Sequence, residues 1–228
     1  MKKITILTLL LIVQIGFAQI SFSQLIINTE NFDSVKVFDR INVELIQSTE
    51  NKIEINGNRA DDVEIINKNG ELKVRMSINK LLDGEEIKAK IYFKTLNNID
   101  VNEGSFVTSD EVFNQTSISL SAKEGAEIRL KLAVQKLKTR AVSGGIIKIE
   151  GNATNQDVSI GTGGILEAEN LETEQSTIKI TTGGEAQIRA SEFVDAKVTA
   201  GGNITIFGNP KQINQKTVLG GTIQESKR

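Results

Sequence analysis

The chain has 228 residues and a formal net charge of −2, so neither a nucleic-acid-binding surface nor a strongly acidic field is expected. The sequence contains neither histidine nor cysteine, which excludes Ser-His-Asp triads, thiol catalysis and most zinc sites. Apolar residues make up 39% of the chain but aromatic residues only 4%, a composition that favours narrow, repetitive β-structure over a globular enzyme core.

The chain begins with a predicted signal peptide, residues 1–18. Lys2 and Lys3 supply a positive end, a twelve-residue apolar run follows, and Gly16 and Ala18 are small residues suited to cleavage after Ala18. The alternative is a membrane anchor, but a run of twelve residues is too short to span a bilayer. We therefore expect an exported protein, in the periplasm, on the cell surface or secreted, with no integral membrane segment in the mature chain.

Residues 19–82 alternate between apolar and polar side chains without a regular repeat. Val35-Lys36-Val37 and Ile53-Glu54-Ile55 are two such runs, and Asn56-Gly57 and Asn69-Gly70 are typical of turns. This part is predicted to be β-rich and to cap the N-terminal end of the structure that follows.

Residues 83–223 carry an internal repeat of about twenty residues, marked by glycine pairs. The pairs are Gly144-Gly145, Gly163-Gly164, Gly183-Gly184, Gly201-Gly202 and Gly220-Gly221, with weaker versions upstream at Glu124-Gly125, Glu103-Gly104 and Asp83-Gly84. Tight bends need a positive φ or a missing side chain, so we interpret the pairs as corners. Residues 224–228 are predicted to be a polar tail.

Between the corners the residues alternate with period two, which predicts one inward and one outward face. The predicted inward positions include Ile147, Ile149, Ile188 and Ile206, and the outward column is Lys148, Glu167, Gln187 and Thr205. Each repeat is expected to hold two short strands joined by a polar bend, for example near Gly151-Asn152. One such repeat cannot bury its apolar face, whereas stacked repeats can. The predicted fold class is all-β, a parallel β-helix or β-solenoid with turns of about twenty residues; an antiparallel sandwich with regular turns is the alternative.

Two segments carry a resemblance to a known family. Residues 32–47, FDSVKVFDRINVELIQ, resemble the opening of the putative auto-transporter adhesin, head GIN domain family. Residues 96–105, LNNIDVNEGS, resemble that family's entry into its glycine-punctuated repeats, and the likeness extends from about residue 30 to residue 210. The resemblance implies an exported right-handed β-helix with a role in adhesion and without established catalytic residues.

Carboxylates are the groups left for catalysis. The candidates are Asp61 with Asp62, Glu85 with Glu86, and Glu103 near Asp100. Adjacent carboxylates on a strand point to opposite faces, which suits a glycosidase pair poorly, so solvated surface charge is the simpler interpretation. The stretch from Asp100 to Gly104 is similar to part of a calcium loop, and the stretch from Gly161 to Gly164 to part of a phosphate cradle. Both lack the rest of their motifs and are interpreted as corners.

These observations predict a non-catalytic, adhesin-like binding or scaffold module of the cell envelope or surface, with no metal or other cofactor. The expected partner is a glycan or an envelope or surface protein and not a nucleic acid, and self-association into a homo-oligomer stays open. One alternative is a carbohydrate-active β-helix enzyme, a polysaccharide lyase or hydrolase that uses carboxylates. The other is a purely structural, self-assembling unit. The outward column serves either hydrogen-bonded stacking or a flat polar face for glycan, peptide or ice.

Overall fold

The structure is a computed structural model that describes residues 24–226, so the predicted signal peptide lies outside the described residues. The described residues form seventeen strands that join into one continuous sheet. The sheet coils on itself, so that its inner side forms one apolar core. The prediction of an all-β solenoid with a less regular β-rich N-terminal part is therefore confirmed.

The N-terminal part contains seven strands and two short 3₁₀ turns. The strands are β1 (Gln24–Asn28), β2 (Ser34–Val37), β3 (Asn42–Gln47), β4 (Lys52–Asn56), β5 (Val63–Lys68), β6 (Glu71–Met76) and β7 (Lys88–Phe93). The 3₁₀ turns are Ala60–Asp62, before β5, and Ile78–Lys80, after β6.

The solenoid follows, with about seven turns of about nineteen residues over residues 98–225. Its strands are β8 (Asn98–Val101), β9 (Phe106–Lys123), β10 (Glu127–Val142), β11 (Ile146–Gly161), β12 (Ile165–Ile180), β13 (Glu185–Arg189), β14 (Phe193–Ala200), β15 (Asn203–Phe207), β16 (Gln212–Leu219) and β17 (Thr222–Glu225). In the middle turns one 16-residue strand continues through the expected bend, because the parallel ladder bonds continue past it. The later turns divide into two shorter strands.

Successive turns pair in parallel, and the register stacks equivalent side chains. Ala168 of β12 pairs with Ile188 of β13, which pairs with Ile206 of β15. All three are buried, as are Ile147 and Ile149 of β11. Alternation along each strand turns these apolar side chains inward, and stacking removes them from water.

The two glycines of a corner meet different requirements, one for a left-handed backbone conformation and one for close approach of the neighbouring turn. Gly163 has a φ of +72°, in the left-handed region, and nothing occupies the space of a side chain there. Gly164 lacks a positive φ, but a Cβ at this position would overlap the carbonyl oxygen of Ala141 in the preceding turn. The first glycine thus supplies the backbone conformation, and the second permits close approach of the next turn.

The second residue of the pair changes conformation along the stack. The pairs Gly183-Gly184, Gly201-Gly202 and Gly220-Gly221 have positive φ at both positions, whereas the pairs Gly144-Gly145 and Gly163-Gly164 have it at the first only. In these two earlier turns the residue before the pair, Ser143 or Thr162, has the positive φ instead.

The N-terminal part does not stack in sequence order. Strand β2 lies between β6 and β8, and β3 lies between β7 and β9, all in parallel. Strands β2 and β3 therefore lie inside the stack, between strands that follow them in the sequence. Beyond them, β4 and β1 continue from β7, and β5 continues from β6, in antiparallel pairing.

At the other end of the described residues, several inward positions become polar, whereas Ile213 and Ile223 still pack against the core. Gln215 and Thr217 of β16 stack on the buried Ala196 and Val198, and Glu225 of β17 stacks on Ile206. These polar side chains end the apolar core at the last described turn.

Candidate functional site: the outward faces of the solenoid

Two outward faces run along the solenoid. The front face is the outer surface of the strand segments that follow each corner, and its central column is Thr108, Arg129, Lys148, Glu167, Gln187 and Thr205. The rear face is the outer surface of the segments that precede each corner, and its central column is Ser121, Arg140, Ser159, Lys179, Lys197 and Lys216. In each column neighbouring residues are directly paired across adjacent strands.

Most cations of the front face are neutralised by nearby carboxylates, an exception being Arg189, whose Nε donates a hydrogen bond to the backbone carbonyl of Glu169. Lys148 Nζ lies 3.1 Å from Glu167 Oε2 on the next strand, and Arg129 Nε lies 2.6 Å from Glu127 Oε1. The hydrogen bond to Glu127 raises the pKa of the Arg129 guanidinium. These pairs are partly exposed, so each adds at most about 1 kcal/mol to stability. Their main effect is to fix the front-face side chains and cancel their charge.

A groove of about 330 Å³ crosses the front face. It lies where the pairing register shifts, between Arg129 and Lys131 and between Lys148 and Glu150. Such bulges bend the strand and redirect its side chains. Of the lining groups, Lys131 forms an ion pair of 3.3 Å with Glu150. The groove therefore offers hydroxyls, neutralised charge pairs and the carboxylates of Asp110 and Glu169.

The rear face differs because four of its cations have no carboxylate at ion-pair distance. Arg140, Lys179, Lys197 and Lys216 are exposed, and within the described part of the chain none lies within 4.0 Å of a carboxylate oxygen. Lys179, Lys197 and Lys216 occupy three successive strands of the same column. We call Arg140, Lys179, Lys197 and Lys216 the rear cation row. Like charges opposite each other on neighbouring strands repel, and within the described residues no ion pair neutralises the positive charge of this row.

The rear cation row is a local feature of its column. Nearer the N-terminal end the same column contains Lys36 and Asp100. Lys36 pairs with Glu71 at 2.7 Å, and Asp100 pairs with Lys123 at 2.9 Å. Lys73, which stands opposite Lys36 in this column, has no ion pair within the described residues.

The predicted carboxylate candidates are separated in the structure. Asp61 and Asp62 lie in the first 3₁₀ turn, and Glu85 forms an ion pair with Arg40. Among residues 24–226, no group of three or more acidic side chains is arranged to hold a metal ion. The candidate carboxylates therefore lie at different positions: Asp61, Asp62, Glu85 and Glu86 in the N-terminal part, and Asp100 and Glu103 at the start of the solenoid.

The stretch from Asp100 to Gly104 forms a corner. Glu103 and Gly104 have φ of 54° and 70°, and the Glu103 carbonyl accepts the N–H of Arg40 at 3.0 Å. Partial burial, and after it the nearby Asp39 carboxylate, raises the pKa of Glu103. The stretch from Gly161 to Gly164 is likewise a corner, where the N–H of Thr162 donates to the carbonyl of Thr182 at 2.6 Å.

Sequence reasoning missed two groups of buried polar residues. Asp39 is 1% exposed, and its carboxylate accepts the N–H groups of Met76 and Leu82 at 3.0 and 2.9 Å. In the middle of β12, the Thr173 and Ser176 hydroxyls lie 2.8 Å apart. A non-glycine residue with positive φ, such as Asp39, leaves little trace in the sequence.

The family and structural comparisons agree on one architecture. The family model described as "Putative auto-transporter adhesin, head GIN domain" matches residues 31–210. A putative adhesin from Bacteroides fragilis NCTC 9343 superimposes with a TM-score of 0.83 at 22% identity, over 90% of this chain and 97% of that chain. A putative adhesin from Parabacteroides distasonis ATCC 8503 gives a TM-score of 0.74 at 22% identity, with the same coverage.

A third similar structure is described differently. A putative lipid binding protein from Parabacteroides distasonis ATCC 8503 gives a TM-score of 0.69 at 14% identity, over 90% of this chain and 97% of that chain. At these identities the structural matches show the fold alone. No curated protein matches the chain. In residues 24–226 no helix has the length and apolar character needed to cross a membrane.

Proposed function

Because the chain belongs to the putative auto-transporter adhesin, head GIN domain family, we propose that it is an exported, non-catalytic binding module of the cell envelope or cell surface. The family description supports export and an adhesive role. The observation that carries the proposal is the rear cation row, because exposed charges without partners in their own chain are available to a partner molecule.

The solenoid makes this row suitable for binding. Each cation lies on a strand that is hydrogen-bonded to a parallel strand on either side. The exception is Lys216, whose strand is the last one of the rear face. The backbone that carries the row is therefore held in place before a partner arrives, which lowers the entropic cost of association. Several weak contacts along one rigid row also add up through multivalency.

Whole-cell binding tests the proposal. The purified protein should bind saturably to bacterial cells, and fractionation with protease shaving of intact cells should locate the native protein in the envelope or outside. The variant Lys179→Gln/Lys197→Gln/Lys216→Gln should bind cells more weakly. The matched control, Lys90→Gln/Lys131→Gln/Lys148→Gln, changes the net charge equally but removes lysines that are ion-paired on the front face.

The proposal is contradicted if the native protein is found in the cytoplasm, or if no cell or envelope component binds it. Equal binding by both triple variants and the unmodified protein would assign the binding to another surface. It would then leave the rear cation row without a role.

A further inference from the structure

We propose that the partner of the rear cation row is a linear acidic polysaccharide. This inference names a partner for the proposed binding function and rests on it. It follows from three properties of the rear face: the spacing of the charges, the groove beside them and the carboxylates that border them.

The cations form a line along the solenoid axis. From Arg140 to Lys216 the column crosses four strand steps, which corresponds to about 19 Å at about 4.8 Å per step. Within this line, Ser159 is the position without a charge. A linear chain with an acidic group on successive sugars presents charges in a row, and a row of cations one strand apart is complementary to it.

A groove of about 470 Å³ lies beside the row. Its lining includes the hydroxyls of Ser119 and Thr177, the amides of Asn155 and Gln175, the ammonium group of Lys138 and the carboxylate of Asp157. Hydroxyl and amide groups can both donate and accept hydrogen bonds, as sugar hydroxyls do. The rear face thus combines a charge row for acidic groups with a polar groove for the rest of a glycan.

The border of the row favours a narrow partner over a broad anionic surface. Asp157 and Asp195 lie in the neighbouring column of the same face, on either side of Thr177, with which each is paired. Both carboxylates are exposed, so they would repel a flat anionic membrane laid over the whole face. A single chain laid along the row meets the cations and avoids most of this repulsion.

Titration of the purified protein with polygalacturonate tests the inference, with dextran as the neutral polysaccharide and phosphatidylglycerol vesicles as the anionic membrane. Polygalacturonate should bind, and its affinity should fall steeply as salt is raised, because the contacts are between exposed charges. Dextran should bind at least about tenfold more weakly, because it lacks the charges that the row would contact. The variant Lys179→Gln/Lys197→Gln/Lys216→Gln should lose about tenfold or more in affinity, since three charge contacts are removed.

The front-face variant Lys90→Gln/Lys131→Gln/Lys148→Gln should change the affinity by less than about twofold, because its net charge is the same but the row is intact. Far-UV circular dichroism of both variants shows that they remain folded. Equal losses in the two variants, or binding to the vesicles without binding to polygalacturonate, would overturn the inference. Binding to cells with no binding to polygalacturonate would overturn it too, while leaving the proposed binding function in place.

Discussion

The backbone N–H of Arg40 donates a hydrogen bond of 3.0 Å to the carbonyl oxygen of Glu103. On the other side, the N–H of Gly84 donates to the carbonyl of Asp39, also at 3.0 Å. The corner at Asp39 and Arg40 is therefore inserted between two corners that come later in the sequence. Both residues have a φ of 63°, and Glu103 and Gly104 of the neighbouring solenoid corner have φ of 54° and 70°. On this side the N-terminal part is thus joined to the solenoid through the same corner geometry that joins the solenoid turns.

The Asp39 carboxylate should be a major determinant of this insertion. Replacing it in Asp39→Ala removes the acceptor of two N–H groups, that of the buried Met76 and that of the partly exposed Leu82, and should lower the free energy of unfolding by about 2–4 kcal/mol. Urea denaturation measures the loss, and faster amide exchange at these two residues locates it. The exposed Asp61→Ala should change stability by less than about 0.5 kcal/mol. Equal effects of the two substitutions would show that Asp39 does not hold the insertion.

The raised pKa of Glu103 predicts a pH dependence of stability. Because the folded state binds the proton more tightly than the unfolded state, the ionised carboxyl is destabilising. The penalty is absent well below the ordinary pKa of 4.5 and fully present above the raised folded value. Glu103→Gln should therefore be more stable than the unmodified protein at neutral pH. The gain should be below about 1 kcal/mol, since the side chain is partly exposed.

Thermal denaturation of Glu103→Gln between acidic and neutral pH checks this sign. The difference in stability from the unmodified protein should shrink as the pH falls through the Glu103 titration. A difference that grows towards acidic pH would mean that the Glu103 carboxylate is stabilising in the folded state.

The core prediction compares two neighbours in one strand. Ile188 is fully buried between Ala168 and Ile206, whereas Gln187 points outward. Ile188→Ala should destabilise the protein by about 2–5 kcal/mol through lost burial and the cavity it leaves. Gln187→Ala should cost less than about 0.5 kcal/mol. Chemical denaturation of both variants measures the difference, and similar losses would mean that the inward face has been assigned wrongly.

The corner prediction compares the two glycines of one pair. Gly163→Ala should cost about 1–2 kcal/mol, because alanine is unfavourable at a φ of +72° but has room for its methyl group. Gly164→Ala should cost more, because its methyl group would overlap the Ala141 carbonyl and push the turns apart. Denaturation midpoints of the two variants give the order. If Gly163→Ala is the more damaging change, backbone conformation and not close approach controls the corner.

Much of the solenoid is predictable from its sequence because two simple signals coincide. Period-two alternation identifies inward residues such as Ile188 and Ile206, and the recurring glycines set the register in which they stack. The insertion of β2 and β3 is not predictable in this way. Val35 and Val37 alternate as any solenoid strand does, and nothing in that pattern selects β6 and β8 as their neighbours.

The rear cation row is a second feature that the sequence alone does not predict. Lys179, Lys197 and Lys216 recur once per turn, so their alignment is present in the repeat. Their lack of counter-ions is a property of the three-dimensional register, since the same repeat places Glu167 beside Lys148 on the front face.

The burial of Ser176 is not predictable from the sequence for another reason. Inward positions shift by one residue at the bend, between Thr173 and Ser176, and simple alternation fails there.

We propose that this protein acts by binding through its outer surface and not by turnover. Calorimetric titration of the purified protein with envelope polysaccharides, followed by chromatography of the recovered polymers for hydrolase and lyase products, distinguishes the two. Binding should be saturable and weakened in Lys179→Gln/Lys197→Gln/Lys216→Gln, and every polymer should be recovered at its original length. Shortened or unsaturated products whose formation is abolished by replacing one carboxylate, such as Glu150→Gln in the front-face groove, would contradict the proposal.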